Sequence, residues 1–62
     1  MNKNNITARA YWRRTGEWHT VMELGWKEGI LHDCTIEMSD GNFRMFGPEV
    51  LDLLDIKVES NP

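Results

Sequence analysis

His32, Asp33 and Cys34 put an imidazole, a carboxylate and a thiol on three consecutive residues, the group types a nucleophilic relay uses. Their adjacency works against the relay. On an extended chain His32 and Cys34 point to one side and Asp33 to the other, whereas a relay needs all three to converge. Cys34 also alternates with Ile36 and Met38, an apolar face on which a thiol behaves as a small hydrophobe. As a metal site, His32, Cys34 and the distant His19 lack a fourth ligand and a close-set cysteine pair. The sequence holds no glycine-rich phosphate loop and no nucleophile motif, and a substrate pocket would consume much of so small a core. The expectation is a non-enzymatic chain with no metal and no cofactor.

A second group of residues suits binding. Read as one strand face, Arg9, Tyr11 and Arg13 lie beside His19 and offer cations for phosphate or carboxylate and a ring for base stacking. Lys3 and Arg14 are close in sequence. The plainer reading of this face is a solvated surface on which Arg9 pairs with Glu23. Trp26, within the glycine-bracketed connection Gly25-Trp26-Lys27-Glu28-Gly29, is a candidate binding anchor. The expected binding residues are thus Arg9, Tyr11, Arg13, Arg14, His19 and Trp26.

Charge is divided along the chain. Residues 1–20 carry Lys3, Arg9, Arg13 and Arg14 against Glu17, a balance of +3, and the remainder carries −6, for a net charge of −3. Such polarity steers a charged partner to one side, or simply gives two solvated faces. The acidic half, with Asp33, Asp40, Glu49, Asp52, Asp55 and Glu59, suits a basic site on another protein or plain solvation.

The elements that must position these residues read mainly as strands. Thr35 to Phe46 writes out a β-hairpin in which Asp40-Gly41 serves as a two-residue turn. That register sets Met38 opposite Phe43 and Ile36 opposite Met45 on an apolar face, with Glu37 opposite Arg44 on the other. Upstream, Ile6, Ala8, Ala10 and Trp12 alternate with polar residues, Thr15-Gly16 interrupts, and a second run extends from Trp18 to Leu24. A three-residue loop sorts the faces of this first hairpin better than a two-residue one, pairing Ala10 with Met22, Trp12 with Thr20, Tyr11 with Val21 and Arg13 with His19. Downstream, Gly47-Pro48-Glu49 is a helix-start signal, and Ile56 and Val58 alternate as a closing strand would.

Four strands, a short helical turn and a fifth strand follow the order of SH3-like and Sm-like small barrels, so the chain resembles a small five-stranded barrel with one short C-terminal helical turn. An α+β alternative arises because Trp18, Val21, Met22 and Trp26 also fall at helical spacing. With residues 7–28 helical, the 35–46 hairpin becomes a wing, and Phe43-Arg44-Met45-Phe46-Gly47-Pro48-Glu49-Val50-Leu51 resembles the wing-to-helix junction of excisionase-like and MerR-like winged-helix proteins. That resemblance implies DNA binding, yet the segment that would enter the groove carries Glu17, Glu23 and Glu28 against Lys27.

Sixty-two residues make a single domain, here 1–62 with frayed ends over 1–5 and 60–62, that buries only about 60% of the surface its unfolded chain exposes. A lone cysteine allows no internal disulfide, and a homodimer or another partner is one way to cover more surface. No leader and no membrane-length apolar run is read, which together with the single thiol points to the cytoplasm. The functional expectation is a regulator or inhibitor that docks on a larger protein, of the dimensions common among phage accessory proteins. The alternative is nucleic-acid binding through the basic N-terminal hairpin or an excisionase-like winged helix.

Overall fold

Five extended segments form one antiparallel sheet in the computed structural model, which describes residues 6–60. The strands are β1 (Ile6–Trp12), β2 (Glu17–Lys27), β3 (Ile30–Glu37), β4 (Phe43–Phe46) and β5 (Leu54–Ser60), and a 3₁₀ turn at Leu51–Leu53 precedes the last. Their order is β4-β3-β2-β1-β5, so the first four make a meander and β5 returns to pair with β1. The mainly β expectation with one short helical turn is met. Fraying over 1–5 and 61–62 concerns residues outside those described, and Ser60 ends β5.

The winged-helix alternative is corrected, because residues it needed as helix are β1 and β2. Period two prevails there: Ala10 and Trp12 are buried while Arg9 between Ala8 and Ala10 is exposed, a division that helical spacing does not make. Gly25 weakens a helix further, by about 1 kcal/mol relative to alanine.

Glycine position sets the turns. Trp12 pairs with Glu17, leaving the four-residue loop Arg13-Arg14-Thr15-Gly16, closed by Thr15 and Gly16 amides donating to the Trp12 carbonyl at 3.1 and 2.8 Å. The expected three-residue loop is therefore wrong, and Gly16, with φ of 71°, occupies the last, left-handed place of a longer loop. The expected two-residue turn at Asp40-Gly41 is corrected in the same direction. Glu37 pairs with Phe43 and Ile36 with Arg44, while the Gly41 amide donates to Met38 at 2.9 Å and the Met38 amide to Asn42 at 2.7 Å. This is a three-residue loop, Ser39-Asp40-Gly41, with the positive-φ glycine last. Asp40 locks it by accepting from the Asn42 amide and side chain, both at 3.0 Å. The one-residue change turns Phe43 and Met45 outward and carries Arg44 and Phe46 to the face of Ile36 and Cys34. Between β2 and β3, the expected five-residue connection shrinks to Glu28-Gly29, whose positive φ values of 54° and 78° suit a type I′ turn. Trp26 lies on β2 opposite Leu31, not on a loop.

β2 changes partner along its length, pairing β1 over Glu17 to Thr20 and β3 over Val21 to Lys27. Register shifts between Val21 and Glu23 and between Gly25 and Trp26 leave Met22 and His32 as extra residues, and such bulges bend a strand. The sheet curls as a result. In a flat sheet β1 and β4 would lie three strand spacings apart, about 14 Å. Instead the rings of Trp12 and Phe46 meet edge to face at 5.1 Å. Ala10, Trp12, Cys34, Ile36, Phe46 and Leu54 form the buried cluster between the two halves, with Val21, Leu24, Met38, Leu51 and Ile56 packed against it.

Candidate functional site

Two surfaces hold four of the six binding residues expected from sequence, Arg9, Tyr11, Arg13 and Arg14. The first is the outer face of β1, β2 and β5. Tyr11 pairs across the strands with Trp18, and their rings lie 5.4 Å apart. The Arg9 guanidinium sits over the Trp18 ring at 5.2 Å. Arg9 lies 4.0 Å from Glu59, which is 3.6 Å from Lys57, and Arg13 bonds Asp55 at 2.9 Å. The partner of Arg9 is thus on β5, not Glu23 as expected, because β1 pairs with β5 along its whole length. Carboxylates answer cations across this face. All these groups are exposed, so each pair adds at most about 1 kcal/mol.

His19 does not join that face. It pairs with Ala10 and points into the interior, only 6% exposed. Its Nδ1 lies 3.3 Å from the Glu37 carbonyl oxygen, which accepts only, so Nδ1 carries the hydrogen. Nε2 lies 2.9 Å from the Thr15 hydroxyl oxygen, which is also 3.2 Å from the Trp12 carbonyl oxygen. The imidazole ties the loop of Arg13 and Arg14 to the end of β3, a positioning role in place of a contact surface.

The second surface is a cleft of about 220 Å³ between the first loop, β4 and the 3₁₀ turn. Trp12, Met45, Phe46, Val50 and Leu53 supply apolar walls, and Arg13, Arg14 and Arg44 supply the charge. The Arg44 guanidinium lies 5.0 Å from the Trp12 ring centroid and Arg14 5.9 Å. Arg13 is engaged by Asp55 and by the Asp52 carbonyl. Among the described residues, neither Arg14 nor Arg44 is ion-paired. Sequence reasoning found Arg13 and Arg14 but missed Arg44 and Trp12. The assumed two-residue turn had set Arg44 beside Glu37 on the opposite face, and the preference of glycine for the last place of a three-residue loop was the available signal.

Trp26 is 60% exposed near the tip of the β2–β3 hairpin, where Ile30 is 70% exposed. On the outer face of β4, Phe43 and Met45 are 62% and 69% exposed.

The His32-Asp33-Cys34 group forms no relay. The bulge at His32 brings its Nδ1 to 3.3 Å from Asp33, which simple alternation had placed on the opposite side. Cys34 remains fully buried in the core, and burial first, then the Asp33 charge, pushes its thiol pKa up. Such a thiol is a poor nucleophile. Among the described residues no group of three or more His, Cys, Asp or Glu is placed to hold a metal ion, and no helix is long and apolar enough to cross a membrane.

Compared with protein-family models, curated proteins and solved structures, the chain matches none.

Proposed function

We propose that this chain is a non-enzymatic interaction module, an SH3-like small barrel in architecture, that regulates or inhibits a larger cytoplasmic protein by docking on it. The strand order, the return of β5 to β1, the bent β2 and the Trp12–Phe46 contact support the barrel reading. One observation carries the docking reading: Trp26, Ile30, Phe43 and Met45 are each at least 60% exposed in a chain that needs every bulky side chain for its core. Large apolar side chains that a small domain leaves outside are characteristic of a contact surface. Nucleic acid is a weaker fit, because Arg9, Arg13 and Lys57 on the outer face are interleaved with Asp55 and Glu59, which repel phosphates.

The test uses the immobilised chain against a lysate of its source, beside a variant with Trp26, Phe43 and Met45 changed to serine. The expected result is one protein retained in stoichiometric amount by the natural chain and lost by the variant. Labelled DNA and RNA are titrated in parallel at low and moderate salt. Nucleic-acid binding that weakens steeply with salt and disappears when Arg9, Arg13 and Arg14 are all alanine, with no protein retained, overturns the reading.

A further inference from the structure

We infer that the cleft over Trp12 is the docking site for an acidic segment of the partner protein, a carboxylate side chain next to a bulky apolar one. This rests on the protein-docking reading and names the site and the chemistry that the partner brings to it.

Charge complementarity decides the occupant. The chain is acidic overall, yet two arginines free of carboxylate partners among the described residues converge on one indole ring. A guanidinium lying over an aromatic face keeps its N–H edges available for an oxygen pair, the geometry in which arginine holds carboxylates by two parallel hydrogen bonds. Arg13 does not compete for that ligand, because Asp55 and the Asp52 carbonyl already hold it. The walls next to the arginines are apolar, and the exposed parts of Val50 and Leu53 face no core. About 220 Å³ admits one bulky side chain, not a folded element.

Size and surroundings speak against a polynucleotide. A nucleic-acid strand needs a line of cations matching successive phosphates. Here the positive charge is confined to one spot, bordered by Asp52 and Asp55 on the turn and β5 that flank the first loop. A single carboxylate with an apolar neighbour satisfies both arginines and the walls. Such a ligand also avoids the acidic remainder of the surface.

The probes are capped pentapeptides titrated into isotopically labelled protein and followed by amide and indole NMR shifts. One has phenylalanine flanked on each side by two glutamates, a second replaces the glutamates by lysines, and a third replaces the phenylalanine by glycine. The first is expected to shift the Trp12 indole, and the second and third to bind at least about ten-fold more weakly. Arg14→Ala and Arg44→Ala are each expected to weaken the first peptide by about ten-fold, the loss of one charge-assisted contact. Arg44→Lys, which keeps the charge and gives up the two-bond geometry, falls between, and the same spectra report whether each variant is folded. Equal binding of the lysine peptide, shifts confined to the Trp26 tip, or unchanged affinity in folded Arg14→Ala and Arg44→Ala variants overturns the inference. A partner captured by the natural chain and by both arginine variants alike, but lost when Trp26 and Phe43 alone are serine, removes the cleft and leaves the docking reading standing. Nucleic acid as the sole ligand removes both.

Discussion

Replacing His19 by alanine should remove a large part of the fold's stability, and the size of the loss follows from three contacts. The Nδ1 hydrogen bond to the Glu37 carbonyl and the Thr15 hydroxyl bond to Nε2 contribute about 1 kcal/mol each. The buried ring, with its centroid 6.2 Å from that of Trp12, adds about another 1 kcal/mol in lost packing. A chain of 62 residues is expected to have only about 3–9 kcal/mol in total. The loss of about 3 kcal/mol is therefore a third of the stability or more. In urea, with a slope near 1 kcal/mol per molar, the midpoint should fall by about 3 M. His19→Leu restores bulk but strands the Glu37 carbonyl, and should lie about 2 kcal/mol below the natural chain. Thr15→Val tests the other end, and in a double-mutant cycle the His19 and Thr15 substitutions should be non-additive by at least about 0.5 kcal/mol. A loss below about 0.5 kcal/mol for His19→Ala, or strict additivity with Thr15→Val, would refute the assignment of His19 as the tie between the first loop and β3.

Glu28→Asn should raise the urea-derived stability by about 0.5–1 kcal/mol, because Glu28 is a non-glycine residue at φ of 54° and asparagine tolerates that conformation better. Cys34 should react with an aromatic disulfide reagent only as fast as the fold opens, so urea at its midpoint should accelerate the reaction steeply; a rate equal to that of free cysteine in the native state contradicts its burial. Because its thiol pKa is raised in the fold, the protonated form is the one the fold favours. Its contribution is complete below the ordinary thiol range and is lost as pH rises through the folded value, so alkaline denaturation should be less steep in Cys34→Ala. Asp40 has the opposite sign. Hydrogen bonds from the Asn42 amide and then its side chain lower the carboxyl pKa, so that contribution is complete above the ordinary carboxylate range and is lost as pH falls through the folded value. Asp40→Ala should flatten the acid limb of the stability curve, as measured by urea melts between about pH 2 and pH 5, which spans the ordinary carboxylate value and the range below it.

Local chemistry in the sequence determined where the chain turns and which segments are extended. Gly16, Gly29 and Gly41 all take positive φ, the alternation of Ala8, Ala10 and Trp12 made β1, and Gly47-Pro48 preceded the 3₁₀ turn at Leu51–Leu53. A glycine marks a turn without stating how many residues the turn closes. Register depends on that count, and one residue decides a face: Arg44 with Ile36 rather than with Glu37, Phe43 and Met45 outward rather than inward. Burial of His19 was likewise invisible, since its two hydrogen-bond partners, Thr15 and the Glu37 carbonyl, meet only after β2 bends and the first loop folds back. The candidate binding residues thus separated by geometry: Arg9 and Tyr11 to a charge-balanced outer face, His19 to the interior, Trp26 to a hairpin tip, and Arg13 and Arg14 to a cleft completed by Trp12 and Arg44. The bulged β2 and the sheet curvature that brings Trp12 of β1 against Phe46 of β4 place Arg14 and Arg44 over one ring, although 30 positions (44 − 14) separate them along the chain. Short-range preferences choose strands and turns, but only the packed core, by selecting one register for each strand pair, decides which side chains share a surface.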